Sequence, residues 1–268
     1  MKFIFRAFAC ALSVALSCAG CGDSASGGAL PAAPDQILII ADLSTSLTDK
    51  QRRSIAGLVA GFVLQAGRNA EVAVYPLVSD MGHVLPLAPR TRPPRTGRLV
   101  DIVDWQNYIE GTWAQTLAAS IEEVLKMPRR TQDQLYNSCY IASATYANQY
   151  FSKMSSVGRL RLVWIGDLIE DCGLAEYRQY RAPNKGSPEK VAKISPGLKG
   201  LGSVDVICAI LPRELSSGPS DISFGATIAY WDVLKMRLGM NPGLVRIGEA
   251  GTVLPPAIRV QVSTRPIN

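Results

Sequence analysis

Directly after Asp35 the chain reads Gln36-Ile37-Leu38-Ile39-Ile40-Ala41, with four large aliphatic residues in succession and no polar residue between them. A strand with one face in water alternates apolar and polar residues, so an unbroken run of this length is expected to be buried on both faces. A strand covered on both faces needs helices above and below its sheet. Two further apolar runs, Leu160 to Ile165 and Val204 to Leu211, read in the same way. Hydrophobic residues make up 47% of the chain and charged residues 19%, which is enough apolar material for such a core and argues against disorder.

The segments between these runs carry helix signals. Thr48 followed by Gln51 forms a capping box with Leu47 as its hydrophobic staple. Ile55, Leu58, Val59, Phe62 and Val63 then fall on one helical face, and Gly67 ends the helix. Glu71 to Val78 alternates and reads as a second strand, with His83 to Leu87 expected to pair with it as a hairpin. Ala88 to Gly111 reads as irregular, with a short helical piece near Asp101 to Tyr108. Helices are expected over Thr112 to Met127, Ser138 to Phe151 and Ile222 to Met236, and a short strand over Leu244 to Ile247. Strands alternating with helices predict an α/β fold, doubly wound, with a mostly parallel central sheet and right-handed crossovers. From Pro255 the alternation of Ile258, Val260 and Val262 fits either a loose tail or an edge strand over residues 251–268.

The amino-terminal residues stand apart from this domain, which is expected over residues 35–250. Lys2 and Arg6 precede the apolar run Ala7 to Leu16, the layout of a secretory signal that is too short to remain as a spanning helix. Leu16-Ser17-Cys18-Ala19-Gly20-Cys21 resembles a bacterial lipobox, with Cys18 where Leu is usual. That resemblance implies a signal peptide over residues 1–20 and lipidation of Cys21. Residues 21–34, rich in Gly, Ser, Ala and Pro, read as a flexible tether. The expected location is the exported side of a bacterial cell envelope, at the periplasmic face or the cell surface. Loss of Lys2 and Arg6 with the signal lowers the formal charge from +6 to +4, too mild a balance to call for nucleic acid. The basic piece Arg90 to Arg98 is interrupted by prolines and reads as a solvated loop, with a patch for acidic lipid or an acidic partner as the alternative. Of the three cysteines beyond Cys21, Cys208 lies in an apolar run and is expected as a buried thiol.

In sheets of this kind ligands bind outside the carboxyl ends of the strands. Three segments place polar groups there: Asp42-Leu43-Ser44-Thr45-Ser46, Asn137-Ser138, and Gly166-Asp167. Together they resemble the von Willebrand factor A (vWA) family. Its metal-ion-dependent adhesion site uses Asp-x-Ser-x-Ser after the first strand, a Thr from a middle loop and an Asp after the fourth strand. The resemblance implies metal ligands at Asp42, Ser44, Ser46 and Asp167, with Ser138 or Thr131 as the middle-loop hydroxyl. It also implies Mg²⁺ (or Mn²⁺ or Ca²⁺) as the ion, because hard cations take oxygen ligands. The expected partner is a protein that supplies a carboxylate to the ion. Cys139 and Cys172 then lie just past two of the metal loops, where a disulfide would tie those loops together.

Enzyme readings have less support. No Walker A loop or nucleophile elbow is present, and His83 is the only histidine. Gly197 to Gly202 precedes a strand instead of following one, so it is not a dinucleotide fingerprint. The expected function is therefore a membrane-anchored, non-enzymatic binding module. The alternatives are a metal-independent vWA-like subunit of an envelope assembly and an Asp42-dependent phosphohydrolase.

Overall fold

Asp35–Ala41 forms β1, an inner strand with a parallel neighbour on either side. The computed structural model describes residues 33–66, 70–91, 99–154, 158–170, 201–211 and 224–260. The signal over residues 1–20, Cys21, nearly all of the tether, residues 92–98 of the basic piece, Cys172, residues 197–200 and Val262 lie outside the described residues.

The other strands are β2 (Ala70–Pro76), β3 (Ala88–Thr91), β4 (Leu160–Gly166), β5 (Asp205–Ile210) and β6 (Val245–Glu249). They form one sheet of order β3-β2-β1-β4-β5-β6. All neighbours are parallel except β2 and β3. This is the doubly wound, mostly parallel α/β sheet that the apolar runs predict.

The helices are α1 (Asp49–Ala66), α2 (Leu99–Tyr108), α3 (Ala114–Lys126), α4 (Arg129–Leu135), α5 (Tyr140–Ser152), α6 (Phe224–Arg237) and α7 (Ala250–Val253), with a π-helical turn over Ile109–Trp113 between α2 and α3. Successive β1 side chains point to opposite layers. Ile37, Ile39 and Ala41 join Val59, Trp113, Leu117 and Ile121 of α1, the π turn and α3. Leu38 and Ile40 join Tyr140, Ala144, Trp231 and Leu234 of α5 and α6. Each such aliphatic side chain contributes about 1.5–3 kcal/mol on full burial, so the continuous apolar run is the sequence form of a two-sided core.

The start of α1 follows its sequence signal. The Thr48 N–H donates to Gln51 Oε1 at 2.7 Å, the Gln51 N–H returns to Thr48 Oγ1 at 3.3 Å, and Leu47 is buried. Several expectations need correction. The third strand is Ala88–Thr91, not His83 to Leu87, and it lies in the stretch read as irregular. It is held by pairing of Thr91 with Val72, whose N–H donates to Thr91 Oγ1 at 3.0 Å. The helical piece in that stretch starts earlier, at Leu99, and α4 was not anticipated. The carboxyl-terminal segment adds no edge strand over its described residues. After α7 it runs along α1, where the Ile258 N–H donates to the Gly57 carbonyl at 3.1 Å. A Cβ at Gly57 or Gly61 would stand 2.4 Å from the carbonyl oxygen of Ile258 or Pro256, so these two glycines make the close approach possible. Cys208 is a free, fully buried thiol, as expected.

Candidate functional site

The carboxyl ends of β1 and β4 meet where the strand order changes direction. Ala41 pairs with Ile165, and the Asp42 N–H donates to the Ile165 carbonyl at 2.8 Å. Asp42 therefore falls beside Gly166. A Cβ at position 166 would stand 2.4 Å from the Asp42 Cβ and 2.2 Å from the Tyr140 hydroxyl. Only glycine leaves room there for the carboxylate and the phenol to meet.

Asp42 is fully buried. Its Oδ1 accepts the Ser44 N–H at 2.8 Å, and its Oδ2 accepts the hydroxyls of Ser138 and Tyr140, each at 3.1 Å. Ser138 Oγ also lies 3.0 Å from Ser44 Oγ, which lies 2.7 Å from Ser46 Oγ. Alternation along the loop produces this row: Leu43 and Leu47 are buried in the core, while Asp42, Ser44 and Ser46 form the polar line. Asp42, Ser44 and Ser138 are buried and Ser46 is exposed, so the row of oxygens leads from the interior to solvent.

Asp167, next after Gly166, is buried, and its Oδ1 accepts the Ile169 N–H at 3.0 Å. Its charge reaches Asp42. Burial first, and the negative Asp167 second, push the Asp42 carboxyl up to about 7. Among the described residues no lysine or arginine is ion-paired with Asp42. The pair is a place where positive charge would be stabilising.

The donor chemistry fits a hard cation such as Mg²⁺, which takes carboxylate and neutral oxygen ligands and keeps several waters. Among the described residues no group of three or more His, Cys, Asp or Glu gathers as a metal cage. This cluster is of another composition, with two carboxylates and three serine hydroxyls. Of the two middle-loop candidates, Ser138 is the one that hydrogen-bonds Asp42 and Ser44. Thr131 lies on α4, where its N–H donates to the Pro128 carbonyl at 2.8 Å.

Neighbouring elements hold the loop in place. Arg52 of α1 is buried, and its Nη1 donates to the Leu43 carbonyl at 3.2 Å and to Gln132 Oε1 of α4 at 2.6 Å. The Thr45 hydroxyl donates to Asp133 of the same helix. Glu170 Oε2 accepts the Ile141 N–H at 3.0 Å, placing an acid at the amino-terminal end of α5 where the helix dipole favours it. Sequence reasoning missed Arg52, Gln132, Tyr140 and Gly166. Polar residues in first helical turns are ordinary, so Arg52 and Gln132 carry no signal. The one cue for Tyr140 is its place two residues after Ser138, at the start of a helix. Cys139 is disulfide-bonded, and Cys172 lies outside the described residues.

Comparison of the sequence with family models and with curated proteins yields no match. Among solved structures, the chain is similar to a von Willebrand factor type A protein from Catenulispora acidiphila, at 10% identity and TM-score 0.44, over 83% of this chain and 40% of that one. It is similar to an aerotolerance-related membrane protein from Bacteroides fragilis at 14% identity and TM-score 0.39, over 81% of this chain and 93% of that one. A third is the manganese-loaded TRAP protein of Plasmodium vivax, at 11% identity and TM-score 0.35, over 82% of this chain and 70% of that one. In the order and direction of its six strands, the chain has a doubly wound, mostly parallel α/β fold.

Proposed function

We propose that this chain is a non-enzymatic binding module that recognises a protein partner through a divalent cation, Mg²⁺ or Mn²⁺, at the Asp42 edge of its sheet. The observation that carries the reading is the gathering of three segments around one buried acid: Ser44 of its own loop with Ser46 bonded to it, Ser138 from just before α5, and Asp167 from just after β4, whose charge acts on Asp42. Asp42 and Asp167 would supply negative charge, and Ser44, Ser46 and Ser138 would supply neutral oxygens. A bound cation would offer an open position to a carboxylate of the partner. Exposure of Ser46 supports an open position that faces the surface.

The test is a calorimetric titration of the full chain in detergent with Mg²⁺ and Mn²⁺, wild type against Asp42→Ala. A saturable heat in the wild type that is absent in the variant is expected. No metal-dependent heat or stabilisation at millimolar metal sinks the reading.

A metal-independent structural subunit is supported by the full burial of Asp42 near Asp167: burial first and that negative charge second favour a proton on Asp42, which would relieve the repulsion without a cation. Full thermal stability in EDTA at pH 8, with no gain on adding metal, would favour that subunit. Phosphate release from generic phosphoesters, lost in Asp42→Ala, would instead favour a phosphohydrolase.

The module is further proposed to be lipid-anchored at Cys21, on the exported side of the cell envelope, with Cys139 bridged to Cys172. No described helix is long and apolar enough to cross a membrane, and the proposed anchor requires none. Palmitate labelling lost in Cys21→Ser is the expected outcome, and labelling that persists contradicts it.

A further inference from the structure

The turn that carries Asp167 is fixed by residues that the metal reading does not use. Leu168 has φ 57°, and among the described residues it is the one non-glycine with positive φ. An L-residue is strained in this left-handed region and stays there when its surroundings over-determine it. Leu168 is buried, and both its polar backbone groups are held by side chains. Its N–H donates to the Tyr140 hydroxyl oxygen at 3.2 Å, and its carbonyl accepts the Trp231 Nε1–H at 2.8 Å.

The two holding groups are themselves packed against one another. The rings of Tyr140 and Trp231 meet edge-on with centroids 5.7 Å apart, and Trp164 meets Tyr140 in the same manner at 6.2 Å. Trp164 is oriented by Ser143, whose Oγ accepts its Nε1–H at 2.9 Å, and the Ser143 hydroxyl donates to the Tyr140 carbonyl at 2.7 Å. The hydroxyl of Tyr140 has two directed bonds. It donates to Asp42 Oδ2 and accepts from Leu168, so one oxygen joins the loop after β1 to the loop after β4. The absence of a side chain at Gly166 gives it the space to do so.

We propose that Tyr140 and Trp231 are positioning residues that clamp Leu168 through the two peptide groups flanking it and so hold Asp167 opposite Asp42 for cation binding. This rests on the metal reading above, and its test separates the two. The single polar hydrogen of Trp231 is given to the Leu168 carbonyl, so an effect of removing it on metal affinity has to travel through Leu168.

The experiment uses the full chain in detergent, titrated with Mn²⁺ by calorimetry, comparing wild type, Tyr140→Phe, Trp231→Phe and the double variant. Both single variants keep an aromatic ring and lose the polar group. Each is expected to raise the Mn²⁺ dissociation constant about tenfold or more, the usual effect of losing an outer-shell partner. The double variant is expected to lose less than the product of the two single losses, because both act on the backbone of one residue, Leu168. Phe151→Leu, in the same core but away from the acids, is expected to lower the melting temperature and leave the constant unchanged. Amide exchange at Leu168 in the metal-free chain provides a metal-independent readout, expected to quicken at least tenfold in Tyr140→Phe. This measurement decides the clamp even if Trp231→Phe does not fold. Dissociation constants within twofold of wild type in both single variants, unchanged Leu168 exchange, or a double variant equal to the product of the singles would each overturn the clamp. Absence of Mn²⁺ binding in the wild type would overturn the metal reading and this positioning role together.

Discussion

Replacing Asp42 by Asn separates the electrostatics of the site from its shape. In the metal-free fold the Asp42 carboxyl sits at about 7, against 3.8 for an exposed aspartate. Below pH 4 both the folded and unfolded chains carry the proton, and Asp42 adds no pH dependence. Between about pH 4 and pH 7 the unfolded chain releases the proton while the folded chain keeps it. The folded state then binds more protons than the unfolded one, so stability falls as pH rises, by about 1.4 kcal/mol per pH unit. Above pH 7 both states are ionised and the loss levels off, at about 4 kcal/mol for a shift of this size. Asn removes the titration and keeps the shape. Urea unfolding in EDTA, followed from pH 4 to pH 8.5 for both proteins, isolates the interacting pair of Asp42 and Asp167, because groups that do not interact with Asp42 cancel in the difference. The stability of Asp42→Asn relative to wild type is expected to rise by up to about 4 kcal/mol between pH 4 and pH 7.5 and then to stay level. A difference flat with pH to within about 1 kcal/mol would refute the burial of Asp42 against the charge of Asp167.

Two further substitutions test the packing. Gly166→Ala forces a methyl to within 2.4 Å of the Asp42 Cβ and 2.2 Å of the Tyr140 hydroxyl. A loss of about 1–3 kcal/mol in urea unfolding, with loss of Mn²⁺ binding, is expected; wild-type stability and affinity would mean that the two loops are not in contact. Gly57→Ala drives a methyl to 2.4 Å from the Ile258 carbonyl oxygen and should detach the carboxyl-terminal segment from α1. Limited proteolysis is expected to cut the variant within residues 255–260 under conditions that leave the wild type intact, and equal resistance would contradict the packing seen here.

The parts of the fold legible in the sequence are those in which one residue pattern has one structural meaning. Ile37 to Ile40 is such a case, because a run with no polar face is stable only between two layers. Thr48 and Gln51 are another, because a capping box is local. Ala88–Thr91 is the opposite case. Ala-Pro-Arg-Thr has no strand pattern, and its extended form comes from pairing with β2 and from Thr91 Oγ1 accepting the Val72 N–H. Helix α4, Arg-Arg-Thr-Gln-Asp-Gln-Leu, has no apolar period and is held through Gln132 and Asp133 to residues some eighty positions earlier. The site divides in the same way. Asp42, Ser44, Ser46 and Asp167 are visible because they directly follow strands that announce themselves. Tyr140, Gly166 and Arg52 matter through the register of β1 against β4 and the seating of α1 and α5, and these long-range facts leave no mark on local sequence.

Asp42, Ser44, Ser46, Ser138 and Asp167 are proposed to hold one divalent cation together. Diffraction from crystals grown with Mn²⁺, collected where manganese scatters anomalously, tests this proposal most directly. A single strong anomalous peak is expected at the carboxyl edge of β1 and β4, bonded at about 2.0–2.2 Å to oxygens of these side chains or to water they hold. A structure from such crystals with no anomalous peak at that edge, or with the peak elsewhere on the chain, would contradict it.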